Sequence, residues 1–165
     1  MFDAIALGSW RQRSSRFGFD CETLAFKDGQ LAGVEVGMKG GDYRYRRAAL
    51  GRVRQKFIGD GDIDPKVISG VLQRSDHASW LNPVLHADAY YVHALAVKRE
   101  SRGQLIGYKL IDAAINRAKE QGYKWFKPDV LSNIPAVGFY CAAGSELPTE
   151  TRAPKCVEFE VPPGY

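Results

Sequence analysis

Between Tyr90 and Gly122 an unbroken apolar segment passes through a charged turn into a long amphipathic repeat, and that order leaves few folds open. The run Tyr90-Tyr91-Val92-His93-Ala94-Leu95-Ala96-Val97 is short and rich in aromatic and branched side chains, the pattern of a buried strand. Lys98 to Gln104 is a charged turn. After it Gly107, Leu110, Ile111, Ala114, Ile115 and Ala118 recur at helical spacing and make one apolar stripe. Gly122 stands where a left-handed helix C-cap belongs.

A strand that feeds through a basic, glycine-containing turn into a helix makes an anion site. The unpaired N–H groups of the first turn and the positive end of the helix dipole converge there. Gly103 and Gly107 have no Cβ, so a phosphate can approach the backbone closely. The same junction also serves purely structural ends, with the glycines used only for the turn or for helix packing.

Leu95-Ala96-Val97 followed by Arg102-Gly103-Gln104-Leu105-Ile106-Gly107 resembles the acyl-CoA-binding signature of the GNAT N-acyltransferase superfamily. That signature is written Q/R-x-x-G-x-G/A after an L-A-V strand end. Arg102 and Gly107 match its outer positions, while Leu105 stands at the middle glycine and Arg99 where proline is common. A second segment, Asn133 to Gly144, resembles the family's N-x-x-A-x-x-F-Y-x-x-x-G motif, with Ser145 in place of the phenylalanine that usually follows. The resemblance runs from about Cys21 to Val161 with a long interruption.

It implies an α/β (α+β) chain with the GNAT acyl-CoA N-acyltransferase fold: a mixed, mostly antiparallel central sheet flanked by helices. One domain over 1–165 is expected, with a helical insertion at about 43–88 before the central strand. It further implies an N-acetyltransferase that moves an acetyl group from acetyl-CoA to a primary amine of a small molecule or peptide, by direct attack in a ternary complex. Carried over residue by residue, the Leu95 N–H lies near the thioester carbonyl and the Val97 backbone against pantetheine. Arg102, Gly103, Gln104, Leu105, Gly107 and Tyr108 cradle the pyrophosphate, and Asn133 sits beside the pantetheine arm. Tyr140 is the general acid for the departing thiolate, unless it is a core aromatic with a tethered hydroxyl.

His93 is the best candidate base. Simple alternation puts it on the same strand face as Leu95, and an ordinary pKa near 6.5 suits amine deprotonation, with a pH limb at about 6 to 7. His93-Ala94-Leu95-Ala96-Val97 also resembles the H-A-L-A-V strand of arylalkylamine N-acetyltransferases, which use a histidine pair; Tyr91 holds the other position here. A hydrogen-bonded core histidine is the alternative. Glu35 and Asp129 are weaker candidates for the base.

The composition, 45% hydrophobic and 25% charged over 165 residues, is that of a globular domain with a real core. No apolar run approaches the roughly 18 residues that span a bilayer, and no secretory signal is visible at the N-terminus. Cys21, Cys141 and Cys156 lack metal spacing, so free thiols in a cytoplasmic protein are expected. A net charge of +4 suits CoA and equally suits nucleic acid.

A short helix is expected around Phe2 to Trp10, then a basic polar segment, Arg11 to Arg16. The family's opening strand has no counterpart here; either the chain starts late or another chain completes the edge, as in a homodimer. Glu22–Phe26 and Leu31–Met38 flank Asp28-Gly29 as a β-hairpin. Tyr43 to Phe57 reads as a basic helix with a solvated outer face, Leu50, Val53 and Phe57 turned inward, and nucleic-acid contact as the other reading. Asp60-Gly61-Asp62-Ile63-Asp64 fails as a calcium loop, because Pro65 and Val71 replace the required glycine and glutamate. Asp64 and Pro65 instead open a helix to Leu72 or Gln73. His77 and His86 read as surface histidines, so no metal is expected. The two insertion helices should lie across one end of the sheet, where they select substrate, make an oligomer contact or pack inertly, with Trp80 as a pocket wall or core residue. Trp125 to Val130 reads as a strand, Ile134 to Ala143 as a helix, and Glu146 to Val161 as weaker strands. Two other functions stay open: a catalytically silent acyl-CoA-binding GNAT domain, and a basic nucleic-acid-binding module.

Overall fold

The computed structural model describes residues 2–60, 64–77, 83–128 and 136–142. The chain divides into two compact units, Met1–Val130 and Leu131–Tyr165. In the first unit a helix, α1 (Phe2–Arg11), precedes the hairpin of β1 (Glu22–Lys27) and β2 (Gln30–Lys39). Asp28 and Gly29 take φ of 50° and 76° at its tip, the positive values that a tight hairpin turn demands. Two helices follow, α2 (Tyr43–Gly59) and α3 (Pro65–His77), and then β3 (Ala89–Val97), α4 (Ile106–Glu120) and β4 (Trp125–Pro128). In the second unit the described element is α5 (Ala136–Ala142).

The sheet has the order β1-β2-β3-β4. β1 and β2, and β2 and β3, pair antiparallel, while β3 and β4 pair parallel across the α4 connection. Burial explains the central place of β3: Ala89 to Val92 are all at most 3% exposed. α4 covers one face, where Leu110 and Ile106 meet Ala32 with Ala25, Leu95 and Val97 packed around them. On the other face Cys21, Val36, Met38, Tyr43 and Tyr91 form a second cluster, edged by Val34, Leu85 and Ala94.

The apolar stripe of α4 is where the spacing puts it, with Leu110, Ile111, Ala114 and Ala118 buried. Its end is a Schellman cap: Gly122 N–H donates to Lys119 O at 3.0 Å and Tyr123 N–H to Ala118 O at 2.9 Å. α3 starts at the Asp64 cap, whose Oδ1 accepts from Lys66 N–H at 2.8 Å. It runs to His77 rather than stopping at Leu72 or Gln73, because no helix breaker intervenes. In α2, Tyr43 and Ala49 are buried, and Arg46 turns inward to bond Asp20 at 3.0 Å and Ser15 O at 3.1 Å. The side chains of Leu50 and Val53 lie outside the described set, as do Trp80, Asp129, Val130 and the tail beyond Ala142.

A buried polar network ties the sheet to α4. Glu35, fully buried on β2, accepts from Thr23 Oγ1 at 2.9 Å, Tyr90 Oη at 3.2 Å and Arg117 Nη1 at 3.4 Å. Arg117 also donates to Tyr90 Oη at 2.7 Å. Burial pushes the Glu35 carboxyl upward, against Thr23, Arg117 and Tyr90, which favour its charged form. Gly37 makes room for this network: a Cβ there would stand 2.2 Å from Glu35 Oε1 and 2.3 Å from Tyr90 Oη. Gly37→Ala is therefore expected to cost about 2–3 kcal/mol by overpacking and loss of those hydrogen bonds. A urea unfolding midpoint equal to that of the parent would show that the network can move aside.

Candidate active site at the open edge of strand β3

The register between β2 and β3 slips by one residue in mid-strand. Val36 pairs with Ala94 and Gly37 with Val92, which leaves His93 without an opposite residue. This β-bulge breaks the alternation of side chains. Tyr91, His93 and Ala94 lie on the α2 side, where the His93 ring is 6.0 Å from Tyr43 and 5.7 Å from Tyr91. Leu95 and Val97 lie on the α4 side. Alternation predicts His93 and Leu95 on one face; the bulge puts them on opposite faces.

Beyond the bulge β3 also loses a neighbour. β4 pairs with Ala89 to Val92 only, ending at Pro128. Lys98 N–H donates to Ala32 O at 2.9 Å, so Lys98, Ala96 and Ala94 direct their backbone groups at β2. The peptide groups of Leu95 and Val97 consequently face away from β2, toward the edge that β4 leaves open among the described residues. Arg102 Nε donates to Val97 O at 3.3 Å on that side.

The strand runs directly into the basic turn. Ser101, Lys98 and Arg99 form a tight 3₁₀ turn closed by Ser101 N–H to Lys98 O at 2.9 Å. Gly103 takes φ of 73°, and Leu105, the N-cap of α4, takes a left-handed φ of 60° with its side chain 65% exposed. Leucine at the position of the family's middle glycine thus keeps the conformation that a glycine would adopt. Leu105 offers no side-chain cap, and no acidic residue occupies the first turn. The N–H groups of Ile106, Gly107 and Tyr108 precede the first helical bond, Lys109 N–H to Leu105 O at 3.0 Å, and point out of the helix end. Gln104 is held by Lys27 Nζ and by its own bond to Glu100 O at 3.3 Å.

His93 is enclosed by rings. Phe17 lies 4.9 Å from it, and Nδ1 is 3.4 Å from Tyr91 Oη. Its Nε2 is buried without a hydrogen-bond partner. Burial, and next to it the Arg16 charge, lower the pKa of the imidazole to about 4. The expected limb at pH 6 to 7 is thereby displaced: His93 is neutral throughout that range.

The structure joins Leu95, Val97, Arg102, Gly103, Gln104, Leu105, Gly107 and Tyr108 in one continuous strand-turn-helix edge. Tyr140 is a buried residue of α5 in the second unit, with Phe139 5.2 Å away, and Asn133 lies outside the described residues. Glu35 belongs to the structural network near the other end of α4. A cavity of about 350 Å³ also lies at that end, lined by Arg117, Tyr90, Gln121 and Tyr123 among others. Among the described residues no cluster of His, Cys, Asp and Glu is placed to hold a metal. His86 is exposed. Arg16 and Phe17 were not singled out by the sequence, since nothing local marks two loop residues that meet a strand far along the chain.

The sheet opens along β3 beside a helix N-terminus with no side-chain cap, an arrangement suited to an extended amide ligand that ends in an anion. The family model of the GNAT acetyltransferases matches residues 10–144, and the chain belongs to that family. A crystal structure described as an acetyltransferase superposes with a TM-score of 0.62 at 20% identity, covering 85% of this chain and 67% of that one. An N-acetyltransferase from Staphylococcus aureus Mu50 gives 0.57 at 18% identity, over 82% and 66% of the two chains. The aminoglycoside N-acetyltransferase AAC(6')-Iy, in complex with CoA, gives 0.51 at 13% identity, over 82% and 75%. This chain thus spans about two thirds to three quarters of those structures. No match was found among curated proteins.

Two outcomes are expected. Leu105→Gly relieves a left-handed leucine, a strain of about 1–2 kcal/mol partly offset by glycine's greater unfolded freedom, so its Tm should equal or exceed the parent's. A lower Tm would mean that the exposed leucine side chain makes a stabilising contact. For His93, the unfolded imidazole takes up a proton near pH 6.5 and the folded one near pH 4, so the unfolded state binds more protons in between. Stability should rise with pH across that window, by roughly 2–3 kcal/mol after solvent screening, and level off above it. His93→Gln should flatten this slope in urea titrations at stepped pH, and an unchanged slope would refute the assignment.

Proposed function

We propose that the chain is an N-acetyltransferase that moves the acetyl group of acetyl-CoA to a primary amine of a small molecule or peptide. One observation carries the reading: the outward-facing peptide groups of Leu95 and Val97 lead without interruption into an uncapped, acid-free helix N-terminus. That edge offers an extended amide arm the hydrogen bonds of a missing strand. The turn then offers a pyrophosphate the first-turn amides of Ile106, Gly107 and Tyr108, flanked by Arg102 and Gly103.

In this proposal the Leu95 N–H polarises the thioester carbonyl and stabilises the charge that develops on its oxygen. The amine attacks directly, without an acyl-enzyme. Asn133 sits beside the pantetheine arm, and Tyr140 protonates the departing thiolate. The acceptor reacts as its neutral amine, hydrogen-bonded to His93, which is neutral at physiological pH; the proton that the attacking nitrogen gives up passes to solvent, and solvent reprotonates Tyr140. The insertion helices α2 and α3 bear on acceptor choice, and the whole chain works as one domain. That the AAC(6')-Iy structure was solved with CoA, and in another crystal with a bisubstrate analogue of CoA and acetylneamine, supports a small-molecule amine acceptor. A cytoplasmic site and a homodimer completed at the β1 edge belong to the same proposal.

Acetyl-CoA should raise the Tm, and thiol release against a broad amine panel should show turnover. Gly107→Glu puts a side chain and a like charge at the pyrophosphate position, so the Tm rise should vanish; a full rise in the folded variant would remove the basis of the site. Tyr140→Phe should keep that rise and lower turnover ~10²–10⁴-fold. Stabilisation by acetyl-CoA without turnover on any amine would identify a silent binding domain instead.

A further inference from the structure

Among the described residues two buried side-chain polar atoms have no partner: Nε of Arg16 and Nε2 of His93. Such atoms are uncommon in folded proteins and each is costly when left unmet. They belong to one cluster. The Arg16 guanidinium carbon lies 5.0 Å from the Phe17 ring centre, and that ring lies 4.9 Å from the imidazole. The Arg16 charge acts on His93, and among the described residues the phenol rings of Tyr43 and Tyr91 also lie near the imidazole.

The segment that carries Arg16 is held firmly. Ser15 is fully buried; its Oγ donates to Ser9 O at 2.6 Å, and it accepts from Phe17 N–H at 3.2 Å. Ser15 O in turn accepts from Arg46 Nη1 at 3.1 Å and from Gly18 N–H at 3.1 Å. Arg46 is consumed by Ser15 and Asp20, whereas Arg16 makes no ion pair among the described residues. A guanidinium fixed in place with an unused donor is a site for a carboxylate.

The two unmet demands are opposite in kind. Arg16 Nε–H needs an acceptor. In the tautomer that donates Nδ1–H to Tyr91 Oη, 3.4 Å away, His93 Nε2 needs a donor. A carboxylate and an ammonium one or two carbons apart supply both. The Phe17 ring is in contact with both groups. We infer that the amine acceptor is an amino acid or similar short zwitterion, its carboxylate on Arg16 and its amine on His93. The inference rests on the proposed transferase reading for its chemistry, and on the Arg16–His93 pair alone for its binding.

The test uses the full chain saturated with CoA and a pool of the standard amino acids, set against a matched pool of their amides. The ¹⁵N resonance of His93 Nε2 should move with the amino-acid pool and stay put with the amides. Arg16→Gln should weaken the response at least tenfold, and Arg16→Lys should restore part of it, with the CoA-induced Tm rise retained in both. In thiol-release assays the preference for amino acids over amides should be tenfold or more in the parent and fall to within about twofold in Arg16→Gln. A His93 resonance indifferent to the amino-acid pool overturns the inference, as does an Arg16→Gln effect equal for acids and amides. Arg16-dependent binding without turnover would leave this site standing and sink the transferase reading.

Discussion

One residue too many in β3 organises the site. His93 has no partner on β2, and at that point the central strand changes character. Below it, Tyr90 to Val92 are paired on both sides, and Ala89 to Val92 are buried. Above it, β3 keeps β2 but has no described neighbour on the other side, so the peptide groups of Leu95 and Val97 face an open edge. The same slip turns His93 toward Tyr43 and Phe17 and leaves Leu95 toward α4. The bulge accounts for the ring-lined setting of His93, and the end of the β4 pairing at Val92 for the open edge beyond it.

The two ends of α4 are built to different tolerances. Near the C-terminal end Arg117 reaches the fully buried Glu35, and removing one partner of such a pair costs about 3–5 kcal/mol. Around it Gly37, Thr23 and Tyr90 leave no slack. At the N-terminal end an exposed leucine sits in a left-handed conformation, a strain of only about 1–2 kcal/mol, and the first-turn amides are uncapped. Rigidity at the closed end holds the open end in register with β3.

The distribution of arginines bears on what the protein recognises. A helix with Arg44, Arg46, Arg47, Arg52 and Arg54 suggests a polyanion surface when read as sequence. In the fold Arg46 is an internal strut between α2 and the loop after α1, and Arg52 stacks over Tyr45 at 5.8 Å. Among the described residues Arg16 keeps a buried Nε without a partner, beside an imidazole that burial, and next to it the Arg16 charge, hold neutral. Family membership rests on the match over residues 10–144, while similarity of 13–20% to solved acetyltransferases carries only the shared fold.

The sequence by itself determined the elements whose signals are local. Periodicity located α4 and its Gly122 cap, the Asp28-Gly29 pair located the hairpin, and Asp64-Pro65 opened α3. The junction from Leu95 to Gly107 was legible too, because strand, turn and helix N-terminus are contiguous in the chain. Tertiary structure alone decided the face of His93. A bulge is a mismatch between two strands, and no single strand's alternation can encode it. It also decided the protonation of that histidine, since burial and the charge of Arg16 come from a loop some eighty positions away. Glu35, an isolated acid in sequence, became structural for the same reason: Thr23, Tyr90 and Arg117 meet it only when the sheet closes against α4.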